Sequence, residues 1–246
     1  MRLKPGWYLL FLTLLYALVV TYAWQRSEHR LARLAGSEGV VAEPAAPPPP
    51  PPAARTLPGY VLPLPGACLP EDPALLPGGP RPYRKGVSYG FVFAGEGVCV
   101  PVVYGEGVVA ANDGEVVKAD LNYQPLSKAA FDALLEAVKN GASPEQMDRL
   151  RGREVWIRHP DGWTSVYAHL AAIAPGVKPG ARVRRGDWIG YLGNSGTSYE
   201  VEGSKGGPRL LFELWQGGVG EGRYFGQGLK PEAVREKARN FFERLP

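Results

Sequence analysis

Three histidines and two cysteines are the most reactive side chains available to this chain of 246 residues. His169 stands in Tyr167-Ala168-His169-Leu170 and His159 in Ile157-Arg158-His159-Pro160-Asp161-Gly162, while His29 follows an apolar amino-terminal run. Zinc-assisted hydrolysis needs three imidazole or carboxylate ligands and an open fourth position, where the pKa of bound water falls toward ~7. Such a site would here have to combine His159, His169 and one carboxylate. Asp113 and Asp161 both precede glycine in turns, which accounts for them without a metal. The inventory therefore gives poor support to a metal centre. Cys68 and Cys99 could close a long loop as a disulfide, worth roughly 4 kcal/mol of unfolded-state constraint in an exported chain. Two separate buried thiols are the other arrangement.

The elements that would position these groups read as β-structure. Between Arg153 and Gln216 the runs 154–159, 163–170 and 210–215 carry β-branched and aromatic residues and end in Gly, Pro or Asp turns. Upstream, residues 87–94, 98–103, 107–111 and 115–119 read as further strands, with Asn112-Asp113-Gly114 as a hairpin turn. Residues 126–150 interrupt the pattern. Phe131, Leu134, Leu135 and Val138 recur at helical spacing, which predicts a helix over 128–139. Ser143-Pro144-Glu145-Gln146 is a capping-box start for a second short helix carrying Met147 and Leu150. Lys230-Pro231-Glu232 opens a carboxy-terminal helix, and its Val234, Ala238, Phe241, Phe242 and Leu245 form one face expected to dock on the β-domain.

Tyr167-Ala168-His169-Leu170, then Gly186-Asp187-Trp188-Ile189-Gly190, then Gly193-Asn194-Ser195-Gly196-Thr197, then Leu210-Leu211-Phe212-Glu213 form a long ordered set. In order and spacing it resembles the core of the lysostaphin/LytM-type zinc peptidases, metallopeptidase family 23, over residues 80–215 less the helical insert. The resemblance implies a mainly β fold, the duplicated hybrid motif, built as an antiparallel β-sheet/barrel-sandwich hybrid. It also implies a groove where a His, an Asp four residues later and the second His of His-x-His hold one zinc. Carried over position by position, the ligand His falls on Ser88, the ligand Asp on Val92 and the third ligand on Leu211. One catalytic His falls on Arg209, and only His169 remains. Valine and leucine have no lone pair and a serine hydroxyl is a weak ligand, so the expectation is a non-catalytic domain without metal or cofactor. Val92 and Leu211 should face each other across the former metal position. The groove would then bind instead of cut. The planar Arg209 fork suits carboxylates, His169 would add a donor, and Tyr89, Trp163 and Tyr199 would supply flat apolar contact. Against this, Arg209 could pair with Glu213 and the loop 199–208 could plug the groove.

Composition bounds the rest. At 45% apolar residues the chain can bury one substantial domain plus appendages, and a formal charge of +4 that is scattered along the chain argues against nucleic acid. The uncharged run from Trp7 to Trp24 reaches about 27 Å as a helix, with Trp and Tyr at both ends. It reads as a transmembrane anchor over residues 1–25; a cleaved signal peptide normally has an apolar region of only ~7–15 residues. Residues 26–56 form an Ala/Pro-rich linker with an unbroken proline tract, Pro47 to Pro52, extended at ~3.1 Å per residue. A Pro/Gly-rich lead-in (57–82), the β-domain (83–220, insert 126–150) and the carboxy-terminal helix (221–246) follow. Flanking charge barely biases topology; the resemblance places the domain outside the cytoplasm, tethered to the cell membrane on the periplasmic or cell-wall side. It implies an envelope scaffold or regulator of cell-wall hydrolases that binds peptidoglycan or an envelope protein. The competing reading is an active zinc-dependent peptidoglycan endopeptidase with non-standard ligands. A biotinyl or lipoyl carrier is set aside because neither Met1 nor Met147 neighbours a lysine.

Overall fold

Short apolar runs and turn residues alternate along residues 59–243, the part described by the computed structural model. The expected anchor and linker, the start of the lead-in and Leu245 lie outside that range. Among the described residues no helix is long and apolar enough to cross a membrane. The chain begins with β1 (Tyr60–Val61), β2 (Pro80–Arg81), β3 (Gly86–Val87), β4 (Gly90–Ala94), β5 (Gly107–Val109) and β6 (Gly114–Ala119). The insert then forms α1 (Lys128–Ala137) and α2 (Pro144–Arg151). Next come β7 (Val155–Arg158), β8 (Trp163–Ala168), β9 (Leu170–Ile173), β10 (Arg182–Val183) and β11 (Trp188–Leu192). The single turn α3 (Ser198–Val201), β12 (Arg209–Gln216), β13 (Arg223–Tyr224), α4 (Pro231–Phe241) and β14 (Phe242–Glu243) close it.

The fold is mainly β. The larger sheet has the order β10-β6-β7-β8-β12-β13, and β4 lies on the edge of β12 that β13 also uses. A three-stranded sheet, β5-β11-β9, packs against it. Alternation along β12 divides the labour: Leu210, Phe212 and Leu214 enter the main core with Phe91, Phe93 and Tyr167, while Leu211, Glu213 and Trp215 occupy the opposite face. That opposite face is where the site lies.

The insert forms as its residues predict. Ser127 caps α1, and Ser143 with Gln146 completes a capping box on α2, satisfying amides that would otherwise lack partners. Leu134 and Val138 meet Met147 and Leu150 in a small cluster that Tyr89 completes from the sheet. Val234 and Ala238 of α4 are buried in the main core, so this helix docks on the β-domain. Cys68 and Cys99 are bridged.

Four expected elements differ. Asn112-Asp113-Gly114 is not a hairpin: β5 pairs with β11, and β6 pairs with β10 and β7. None of the three residues has positive φ, which the tight primed turns require; instead Asp113 accepts from the Arg185 amide and the chain passes from one sheet to the other. Residues 98–103 form no strand: Val98 O accepts from the Cys68 amide of the lead-in at 2.9 Å, Val103 O accepts from the Glu106 amide at 3.1 Å, and Cys99 is left-handed at φ 65°. The strand expected over 87–94 breaks at Ser88, whose amide bonds Gly79 O at 2.7 Å. The final helix stops at Phe241, and Phe242 and Glu243 turn extended to pair with β1.

Candidate functional site

Strand register sets the geometry. Val92 and Leu211 are direct cross-strand partners, and Leu211 is flanked on its other side by Ala168. The floor at the two positions assigned to metal ligands is therefore aliphatic. Ser88, at the third, is buried and its hydroxyl donates to Gly90 O at 2.9 Å. Among the described residues no three His, Cys, Asp or Glu side chains converge so as to hold a metal ion. The donor set does not fit zinc.

His169 sits where the chain leaves one sheet for the other. It separates β8 from β9 with a left-handed backbone, φ 65°, uncommon for a residue with a Cβ, and its amide bonds Arg151 O at 2.8 Å. Its Nδ1 donates to Ser195 O at 2.7 Å, which fixes the tautomer and leaves Nε2 as an acceptor. Burial, together with the guanidinium groups of Arg209, Arg151 and Arg81, pushes the imidazole down to about 4. At neutral pH His169 is uncharged. The expectation that it donates to an anion is thus corrected: its free nitrogen accepts.

Arg209 begins β12 beside the same strand crossing, bonding Gly193 O through its amide at 2.8 Å. Gly193 is required there, since a Cβ would come within 2.3 Å of the Ala171 amide. The Arg209 Nε donates to Gly207 O at 3.1 Å. It does not pair with Glu213, nor with any other carboxylate among the described residues. The loop 199–208 is tied down by Asn194, whose Nδ2 donates to Ser204 O and Gly206 O, both at 2.8 Å. The Tyr199 ring covers Gly206 and Gly207, leaving no room for a side chain at Gly207.

Of the five residues expected to line the groove, His169 and Arg209 come together and Tyr199 borders them through its loop. Trp163 does not. It pairs with Gln216 at the far end of β8, about 20 Å from His169 at strand spacing, and points the other way onto Phe225 and Phe241. Tyr89 shares the outer face but sits one residue before Gly90, the partner of Glu213, where it packs on Trp215 and Tyr224. His159 is also remote. Both its nitrogens are engaged, with Asp113 O and Ser165 Oγ at 2.8 Å each, and burial lowers its proton affinity.

A buried ionic network escaped the sequence reading. Arg151, at the end of α2, reaches down onto β12 and holds Glu213 through Nη2–Oε2 at 2.9 Å and Nε–Oε1 at 3.3 Å. Trp215 Nε1 donates to the same carboxylate at 2.7 Å, and Arg151 also bonds Asp148 at 2.9 Å. Lys118 joins Asp148 and Glu154 while lying over the Trp156 ring. Burial lifts the Glu154 carboxyl to about 7 although Arg151 and Lys118 oppose it. The retained Glu in Leu210-Leu211-Phe212-Glu213 was the available signal. Its partner came from the insert, 62 positions earlier, which no local pattern reveals.

Residues 94–221, just over half of the chain, match the model of peptidase family M23. Similar solved structures include a zinc containing peptidase from Vibrio cholerae, 20% identical over 63% of this chain and 36% of that one, with TM-score 0.37. Helicobacter pylori Csd3 is 22% identical over 73% of this chain and 41% of that one, with TM-score 0.36. The catalytic domain of the antimicrobial peptidase lysostaphin from Staphylococcus simulans is 20% identical over 64% and 76%, with TM-score 0.35. The chain spans well under half the length of the first two.

Proposed function

Because the chain belongs to peptidase family M23, we propose that it is a member that binds without cutting, an envelope scaffold or regulator of cell-wall hydrolases. The observation that carries this reading is the pairing of Val92 with Leu211. Zinc ligation needs lone pairs at those places, and two facing aliphatics supply none. The neighbouring charge supports the same reading: Glu213, on the same face of β12 as Leu211, is already neutralised by Arg151. The ligand is peptidoglycan or an envelope protein. In this reading residues 1–25 anchor the chain in the cell membrane and the proline linker holds the domain away from it on the extracytoplasmic side.

Incubating the purified full chain in detergent with peptidoglycan sacculi and with envelope extract tests the reading. The chain should sediment with the sacculi or retain an envelope protein, and release no soluble peptide or amino groups. Release of fragments that a chelator abolishes would overturn it.

A further inference from the structure

Two cations fasten the insert to the sheet, and a third acid draws on both. Arg151 of α2 holds Glu213 of β12, and Lys118 of β6 holds Asp148 of α2. Glu154 stands just before β7. Its Oε1 takes the Lys118 ammonium, and its Oε2 lies 3.9 Å from Arg151 Nε. Asp120, between β6 and α1, brings a further carboxylate, whose Oδ2 accepts from the Glu154 amide at 3.2 Å. Arg153 favours the Asp120 charge, but its guanidinium lies over the Tyr123 ring and donates to the carbonyls of Leu170 and Ala171.

The two wholly buried acids are served unequally. Glu213 accepts from Arg151 Nε, Arg151 Nη2 and Trp215 Nε1. Glu154, also 0% exposed, accepts from Lys118 alone, and its Oε2 has no hydrogen-bond partner. Trp156 Nε1, on β7, favours the Glu154 charge without making a hydrogen bond. A buried carboxylate oxygen left without a donor is costly. Asp120 and Asp148 escape that cost because both are partly open to water. Glu154 is therefore the acid of this junction that gains most from a proton. With a proton on Oε2, one acid is left to each cation across the junction, Asp148 to Lys118 and Glu213 to Arg151. Burial, which outweighs Arg151 and Lys118, lifts the Glu154 carboxyl to about 7, in agreement.

We propose that Glu154 is a proton latch: protonated, it lets α2 grip the sheet through Lys118–Asp148 and Arg151–Glu213, and ionised, it competes for both cations and loosens the insert. The inference holds whether or not the domain binds a ligand. Its direction follows from linkage. A folded value above the ordinary carboxylate range makes the stabilisation whole below about pH 4.5 and loses it as pH rises through about 7. The full chain in detergent, carrying ¹³C-carboxyl-labelled glutamate, is followed from pH 5.5 to 8.5. Amide exchange over residues 147–151 is measured in parallel and corrected for the intrinsic pH dependence of exchange. Protection of these amides should fall at least about tenfold across that range, and one glutamate carboxyl should titrate near pH 7. Glu154→Gln should remove that resonance and hold the protection level, close to that of the native chain at pH 5.5. Native protection that stays constant, no glutamate carboxyl titrating above pH 6, or a Glu154→Gln variant that keeps the native slope would each overturn the proposal. The first two readings need only the native chain, so they decide even where the variant does not fold.

Discussion

Arg151 and Glu213 are both almost wholly buried, 2% and 0% exposed, so each depends on the other for its charge. Removing one partner of such a pair costs about 3–5 kcal/mol, whereas replacing both with apolar groups is often near neutral. Arg151→Met should therefore lower the unfolding free energy by about that amount in urea, and adding Glu213→Leu should return most of it. A double-mutant cycle with no coupling would mean the pair is not the link between insert and sheet. His169 makes a second prediction, in pH. Its folded value of about 4 lies below the ordinary 6.5, so the fold prefers the neutral ring. The stability tied to this preference is whole above about pH 6.5 and is lost as pH falls through 4. Unfolding midpoints of the native chain should drop more steeply over that window than those of His169→Asn; parallel curves would contradict the assigned environment.

At the scale of elements, the disulfide and the caps are the features most open to measurement. The bridge closes a loop of 31 positions, which corresponds to about 3–4 kcal/mol of unfolded-state constraint. Replacing Cys68 and Cys99 by serine together should cost roughly that much and free residues 97–101 from the lead-in, seen as faster amide exchange there. Ser143→Ala should cost about 1 kcal/mol through loss of the α2 capping box. These elements were legible because their signals are local: Ser143 and Gln146 are three apart, and the α1 stripe repeats within one helix. The sheet-changing turns were not. Asp113-Gly114 carries a hairpin signature, but Arg185 and the strand β11 decide where the neighbouring strands go. Trp163 illustrates the same limit, since its assignment to the groove ignored which face of β8 it occupies. That Val92 faces Leu211 could be read because a long motif set the strand register, whereas Arg151 could not be matched to Glu213 without the folded insert.

For the whole molecule, we propose that an apolar anchor and a proline spacer carry the peptidase-fold domain, in which Val92 and Leu211 face each other across two strands. Deleting residues 1–25 should move the chain from the membrane fraction to the supernatant with its β-rich circular dichroism intact. A deleted chain that stays with membranes would place the attachment elsewhere. The central claim, that the fold persists without its metal chemistry, is tested most directly by zinc stoichiometry. The full chain and the variant Ser88→His/Val92→Asp/Leu211→His are purified without chelator and assayed side by side for bound metal. The account predicts no stoichiometric zinc on the native chain, and close to one per chain on the variant that regains the three donors. One tightly held zinc per native chain would contradict it.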